Sequence, residues 1–199
     1  YIPGIEVAVE GLAHEDGLCL LAIFDKPDTP EGPFFEETIY VTPSRLPIEI
    51  QDSIQAVATQ GAQALGLRFG PVHAELRIND QGVWLVEVAG RSIGGLCSKT
   101  LRFGHGSSLE ELILRQAAGL PLTSLVRQDS SSGVMMIPIP RHGLLRQVRG
   151  LEKAESEPGI DSVEISARIN YPLRPLPDGD SYLGFIFATA DKPAAVEAA

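Results

Sequence analysis

The chain has 199 residues, enough for one sizeable domain or one and a half small ones. Hydrophobic residues make up 44% and charged residues 21%, the balance of an ordinary globular protein, so disorder is excluded as the default. The 26 acids against 16 bases leave a net charge of −10. Such a chain has no general attraction to a phosphate backbone, and nucleic acid is set aside as a partner. A small anionic ligand is not, because local Arg and Mg²⁺ reverse the field.

Residues 5–13 (IEVAVEGLA) alternate apolar and polar side chains and predict a half-buried strand. His14 to Gly17 reads as a turn, and Leu18 to Phe24 as a second strand, completing a hairpin. Residues 27–37 hold three prolines and a glycine and read as a loop. Ile39–Val41 is a short strand before Pro43. Residues 48–65 carry a helical pattern, with Ile50, Ile54, Val57, Ala58, Ala62 and Leu65 on one face and Gly66 as the stop. Strands follow at about 72–79 and 83–89. A second helix runs over about 108–118, where Ser108 and Glu111 fit a capping box and Gly119 and Pro121 end it.

The polar run QDSSSG at 128–133 reads as a linker or exposed loop. Beyond it lie strand candidates at 134–139, 161–168 and 182–190 with Gly/Pro turns between them. The organisation expected is α+β, with one domain over 1–127 and a small appended α+β subdomain over 128–199.

Cys19 and Cys97 form no metal-type spacing, and so low a count suits a reducing cytoplasm. No apolar run reaches the roughly 18 residues of a membrane span, so no membrane partner is expected. The start at Tyr1-Ile2-Pro3-Gly4, without initiator Met or signal pattern, is read as the edge of a fragment.

The strongest physical signal lies in residues 72–91 (VHAELRINDQGVWLVEVAGR). Val72, Ala74, Leu76 and Ile78 point one way; His73, Glu75, Arg77 and Asn79 point the other. By the same alternation Trp84, Val86 and Val88 share one face, and Leu85, Glu87, Ala89 and Arg91 the opposite one. A three-residue loop Asp80-Gln81-Gly82 would set Asn79 against Val83, Leu76 against Val86 and Ala74 against Val88. That register puts Glu75 directly opposite Glu87.

Like charges so placed are destabilising. A shared proton, Arg77 or Arg91, or a bound cation would offset the repulsion. One or two carboxylates plus phosphate oxygens and water is how Mg²⁺ is typically held. Two solvated glutamates on a strand face are the plain alternative. Arg91 could meet a phosphate bidentately or be a surface ion-pair partner. Ser92-Ile93-Gly94-Gly95 is either an anion cradle of backbone N–H groups or an ordinary turn.

Through HAELR at 73–77 and EVAGR at 87–91 the chain resembles the ATP-grasp superfamily of carboxylate–amine ligases, most closely the L-amino-acid-ligase branch. Residues 1–120 resemble the C-terminal ATP-grasp lobe, an antiparallel sheet with helices, and residues 133–190 the small domain appended in that branch. The resemblance implies that Glu75 and Glu87 are metal ligands for Mg²⁺ or Mn²⁺, Glu87 bridging two ions, and that Arg91 steadies the transferred phosphate in catalysis. For ATP it implies that Tyr1 and Ile2 flank adenine and that Glu6 accepts from the ribose. Lys26 precedes the 27–37 loop, where some members place a phosphate-contacting lysine on a mobile lid; a solvated lysine is the plain reading. His73, Ser92, Gly94 and Gly95 are candidate substrate contacts; for His73 a satisfied structural histidine is the alternative. Where many members carry a further Asn ligand, this chain has Ala89, as the amino-acid-ligase branch tolerates.

The family reaction runs from carboxylate and ATP through an acylphosphate to an amide, the amine displacing phosphate. The partners implied are small carboxylate and amine substrates, an N-terminal lobe of the same protein, and a homodimer as a further candidate. Without that lobe the fragment is expected to be inactive. The alternatives are a carboxylase- or carbamoyl-phosphate-type enzyme using bicarbonate, and a non-catalytic module kept for assembly.

Overall fold

The computed structural model describes residues 1–28, 38–122 and 124–199. Most of the 27–37 loop reading therefore lies outside the described residues. In chain order the elements are β1 (Ile5–His14), β2 (Gly17–Asp25), β3 (Ile39–Thr42), α1 (Ile48–Ala64), β4 (Gly70–Asn79) and β5 (Gly82–Ala89). A single 3-10 turn (Cys97–Thr100) and α2 (Leu109–Ala117) follow, then β6 (Ser131–Ile137), β7 (Gly143–Leu144) and α3 (Leu151–Glu155). The chain closes with β8 (Ile160–Ile165), β9 (Pro172–Leu173), β10 (Gly184–Ala190) and α4 (Pro193–Ala198). None of the described helices is long and apolar enough to cross a membrane.

Two compact units form: Tyr1–Lys26 with Thr42–Asp129, and Pro27–Val41 with Ser130–Ala199. In the first, the strand order is β5-β4-β1-β2, each neighbouring pair antiparallel. Val7 and Val9 of β1 and Val72, Ala74, Leu76 and Ile78 of β4 give one face its apolar side chains. Against them α1 packs Ile54, Ala58 and Ala62, the i, i+4, i+8 stripe of its sequence. Leu65, expected on that stripe, lies just past the helix end and is exposed. Gly61 has a packing reason: a Cβ there would come within 2.5 Å of Leu85 Cδ2. Ser108 caps α2 as the capping pattern predicts, its hydroxyl accepting from the Glu111 N–H at 3.1 Å.

β1 is not half-buried as the alternation suggests. Every residue from Glu6 to Ala13 is buried. It lies between β4 and β2, and its acids, rather than facing water, are covered and paired.

The second unit orders its strands β3-β6-β10-β8, with β10 antiparallel to both neighbours, beside a small β7–β9 ladder. Strand β6 begins at Ser131, inside the run read from sequence as linker, and Ser131 and Ser132 are buried. Polarity misled here because two hydroxyls and a glycine are what fit a close approach. A Cβ on Gly133 would stand 2.7 Å from Val196 Cγ1 and 2.9 Å from the Tyr40 carbonyl oxygen. Gly133 thus lets α4 seat Val196 in the cluster with Val41 and Ala188.

Gly133→Ala is therefore expected to destabilise the chain by about 1–3 kcal/mol, the usual cost of overpacking. Urea unfolding followed by circular dichroism measures it, and an unchanged midpoint would contradict the close approach.

Candidate active site

The opposite face of the first unit's sheet is charged, and register places each group. Across β1–β4, Glu6 faces Arg77, Ala8 faces Glu75 and Glu10 faces His73. Across β4–β5, Ala74 faces Val88 and Glu75 faces Glu87, as the hydrophobic pattern predicts. The rest of that predicted register fails. Asn79 pairs with Gly82, leaving a two-residue turn, and Leu76 pairs with Leu85.

A bulge reconciles the two ends: Val86 is the extra residue, 51% exposed, between Leu85 and Glu87. It inverts the alternation of β5. Val83, Leu85 and Val88 pack on the core, while Trp84 pairs opposite Arg77. Asn79 stabilises the short turn, its Oδ1 accepting from the Gln81 N–H at 3.0 Å and from Trp84 Nε1 at 3.1 Å.

Lys26, one residue past β2, is buried rather than solvated, at 5% exposure. Its Nζ lies 2.6 Å from Glu6 Oε1 and 3.0 Å from Glu75 Oε1. Arg77 donates through Nε to Glu6 Oε2 at 2.7 Å and through NH1 to the Ile2 carbonyl at 2.8 Å. Its guanidinium lies 5.1 Å from the centre of the Tyr1 ring. His73 Nδ1 is 2.7 Å from Glu10 Oε1, and its Nε2 is 3.6 Å from Glu75 Oε1. Three carboxylates and three cationic groups thus alternate along one line: Arg77, Glu6, Lys26, Glu75, His73, Glu10.

The electrostatics follow from that alternation. Burial alone would depress the His73 pKa, but the Glu10 hydrogen bond and the Glu10 and Glu75 charges outweigh it and raise the value to about 9. His73 is then charged at neutral pH. Burial pushes the Glu10 carboxyl up, opposed by His73, the Ile93 backbone N–H and the Arg91 charge.

Glu87 and Arg91 lie at the open end. Both are exposed, with Arg91 NH2 3.4 Å from Glu87 Oε1 and NH1 donating to the Ser92 carbonyl at 3.0 Å. Past Arg91, Ile93 is buried, and Gly95 and Leu96 both take left-handed conformations, at φ 60° and 55°. The Gly94 carbonyl accepts from the Cys97 N–H at 3.2 Å, opening the 3-10 turn.

The structure therefore gathers Glu6, Lys26, His73 and Glu75, with Tyr1 and Ile2 reaching them through Arg77 and Glu87 paired beside Glu75. Sequence reasoning missed Glu10. The signal was present: Glu6 and Glu10 are two alternations apart on one strand face.

Among the described residues, no group of three or more His, Cys, Asp or Glu is arranged to hold a metal ion. What the chain offers a cation is the facing pair Glu75 and Glu87, with an ammonium already against Glu75. Two carboxylates suit Mg²⁺, which draws its remaining ligands from phosphate oxygens and water.

The first unit is thus an antiparallel sheet with one apolar and one charged face, and both its sequence and its fold have matches among known proteins. Residues 1–100 match the family profile of the ATP-grasp domain, and residues 135–199 that of L-amino acid ligase C-terminal domain 2. The fold is similar to that of L-amino acid ligase from Bacillus licheniformis, at 30% identity and TM-score 0.85, covering 100% of this chain and 49% of that one. It is also similar to N5-carboxyaminoimidazole synthase from Aspergillus clavatus in complex with ADP and 5-aminoimidazole ribonucleotide. There the identity is 19% and the TM-score 0.70, covering 98% of this chain and 48% of that one. An uncharacterized protein, y4rH, of Sinorhizobium fredii is 24% identical over 148 residues, 74% of this chain and 31% of that protein. The chain spans about half the length of these solved structures and about a third of that relative. It belongs to the ATP-grasp family.

His73→Leu leaves Glu10 buried without its cation. It is expected to cost about 3 kcal/mol, whereas Glu10→Met/His73→Leu, which removes both charges, recovers most of that loss. A double-mutant cycle by urea unfolding reads this directly, and additive losses would contradict a coupled pair.

Proposed function

We propose that this chain is the metal- and phosphate-handling lobe of a longer ATP-dependent carboxylate–amine ligase that forms an amide or peptide bond through an acylphosphate. The observation that carries the reading is the apposition of Glu75 and Glu87 across β4–β5, with Lys26 against Glu75 and Arg91 beside Glu87. The match of residues 135–199 to an L-amino acid ligase domain favours amino acids over bicarbonate as the carboxylate substrate.

On this reading Glu75 and Glu87 hold Mg²⁺ (or Mn²⁺). When bound, the ion neutralises charge on the phosphates of ATP. The chain's own groups do the positioning. Glu6 already orders two cations, and its carboxylate is the acceptor proposed for the ribose hydroxyls. Tyr1 and the Ile2 backbone, held by Arg77, flank the adenine. Lys26 and Arg91 supply positive charge to the transferred phosphate, Arg91 from an exposed position free to turn from its long contact with Glu87. Ser92, Gly94 and Gly95 offer backbone N–H groups to the substrate carboxylate, and His73 holds Glu75 from below. A second lobe of the same polypeptide closes over the nucleotide.

Two substitutions in the full-length protein test the reading. Glu87→Ala is expected to abolish ADP release, and Lys26→Met to lower it by at least a hundredfold. Wild-type turnover in Glu87→Ala would sink the proposal. Product analysis with paired amino acids against bicarbonate decides the substrate class: a dipeptide supports the ligase, and carboxyphosphate-derived product rejects it.

A further inference from the structure

The buried pair Glu10–His73 lies beneath the site described above, against Glu75, and no ligand contact is assigned to it. Glu10 has 0% exposure and His73 4%, which removes both from contact with a ligand in bulk solvent. A buried acid is costly unless it is paired and hydrogen-bonded. Glu10 meets that condition on one side only: Oε1 takes His73 Nδ1 at 2.7 Å, while Oε2 has no hydrogen-bond partner among the described residues.

His73 uses its other nitrogen on Glu75. Nε2 stands 3.6 Å from Glu75 Oε1, the oxygen that also meets Lys26 Nζ. With Nδ1 committed to Glu10, the ring cannot swing away from Glu75. Its plane is set from beneath. Glu10 thus holds the ring that stands against Glu75, from a position on β1 that no ligand reaches.

We infer that Glu10 is a positioning residue: through His73 it fixes the orientation of the Glu75 carboxylate, so that Glu75 is preorganised opposite Glu87 as a cation site. The inference rests on the reading of Glu75 and Glu87 as metal ligands. Groups that orient a ligating side chain typically change metal affinity by 10- to 100-fold when removed.

The test uses the full-length protein with ATP present and Mn²⁺ as the probe, its binding followed by electron paramagnetic resonance and so independent of turnover. Wild type is expected to bind Mn²⁺ and Glu75→Gln to bind it at least tenfold more weakly. Absence of either result overturns the metal reading, and this inference with it. Given both, Glu10→Gln is expected to weaken Mn²⁺ about tenfold with an unchanged circular dichroism spectrum. Glu10→Met/His73→Leu, which buries no lone charge, guards against a Glu10→Gln protein that fails to fold, and is expected to show the same weakening. Wild-type Mn²⁺ affinity in a folded variant of either kind overturns the positioning role while leaving the metal reading intact.

Discussion

The first unit depends on a single line of alternating charges buried on one face of its sheet: Arg77, Glu6, Lys26, Glu75, His73 and Glu10. Each of these groups would be expensive to bury alone. Together each carboxylate finds a cation, and Glu6 and Glu75 each find two. The strands supply this order. Glu6 faces Arg77 and Glu10 faces His73 by register, and Lys26 arrives from the end of β2. A one-residue slip of β1 against β4 would turn every acid into the α1-covered core, so the charged line and the apolar stripe specify the same pairing.

Buried ion pairs are poor evidence for stability, because an apolar replacement of the same volume often serves as well or better. The apolar half of the unit needs no help: Val7, Val9, Val72, Ala74 and Leu76 are fully buried under α1. A line of six titratable groups on the other half is what the proposed ligand site would account for, where stability does not. Glu87 and Arg91, the two groups at its exposed end, make only a long surface contact of 3.4 Å. Such a pair contributes little to folding and yields readily to a ligand.

Much of this was legible in the sequence, for physical reasons that can be named. Period-2 alternation in 72–79 assigned His73, Glu75 and Arg77 to one face, and the pairing of Ala74 with Val88 followed from matching apolar side chains. Helix α1 and the Ser108 cap were equally readable, since both are local. Val86 was not. A bulge breaks alternation without a glycine or any other residue to announce it, and so Leu85 and Trp84 exchange faces relative to the simple pattern. Lys26 was hidden for a different reason, and Glu10 showed only as a second acid on the face of Glu6. Their burial depends on partners 20, 49 and 63 residues away, which no local pattern contains. Ser131, Ser132 and Gly133 show the same limit in the second unit: a polar run became a buried strand because Val196 and Tyr40 leave room for nothing larger at Gly133.

The charge balance of the line bears on how the proposed ligand arrives. With His73 protonated, its three carboxylates and three cations cancel, and Glu87 is opposed by Arg91. Such a face has little net pull on a bare divalent cation. On the proposed reading it suits a metal ion that comes already carrying phosphate, the ion meeting Glu75 and Glu87 and the phosphate Lys26 and Arg91. The protein's own charges would then exchange partners instead of losing them: with Glu75 turned to a cation, Lys26 would keep Glu6 and gain an anionic neighbour. A site arranged in this way stays paired before and after binding. On the proposed reading, the pairing of Lys26 with Glu75 is then a resting arrangement of the same site rather than an obstacle to it.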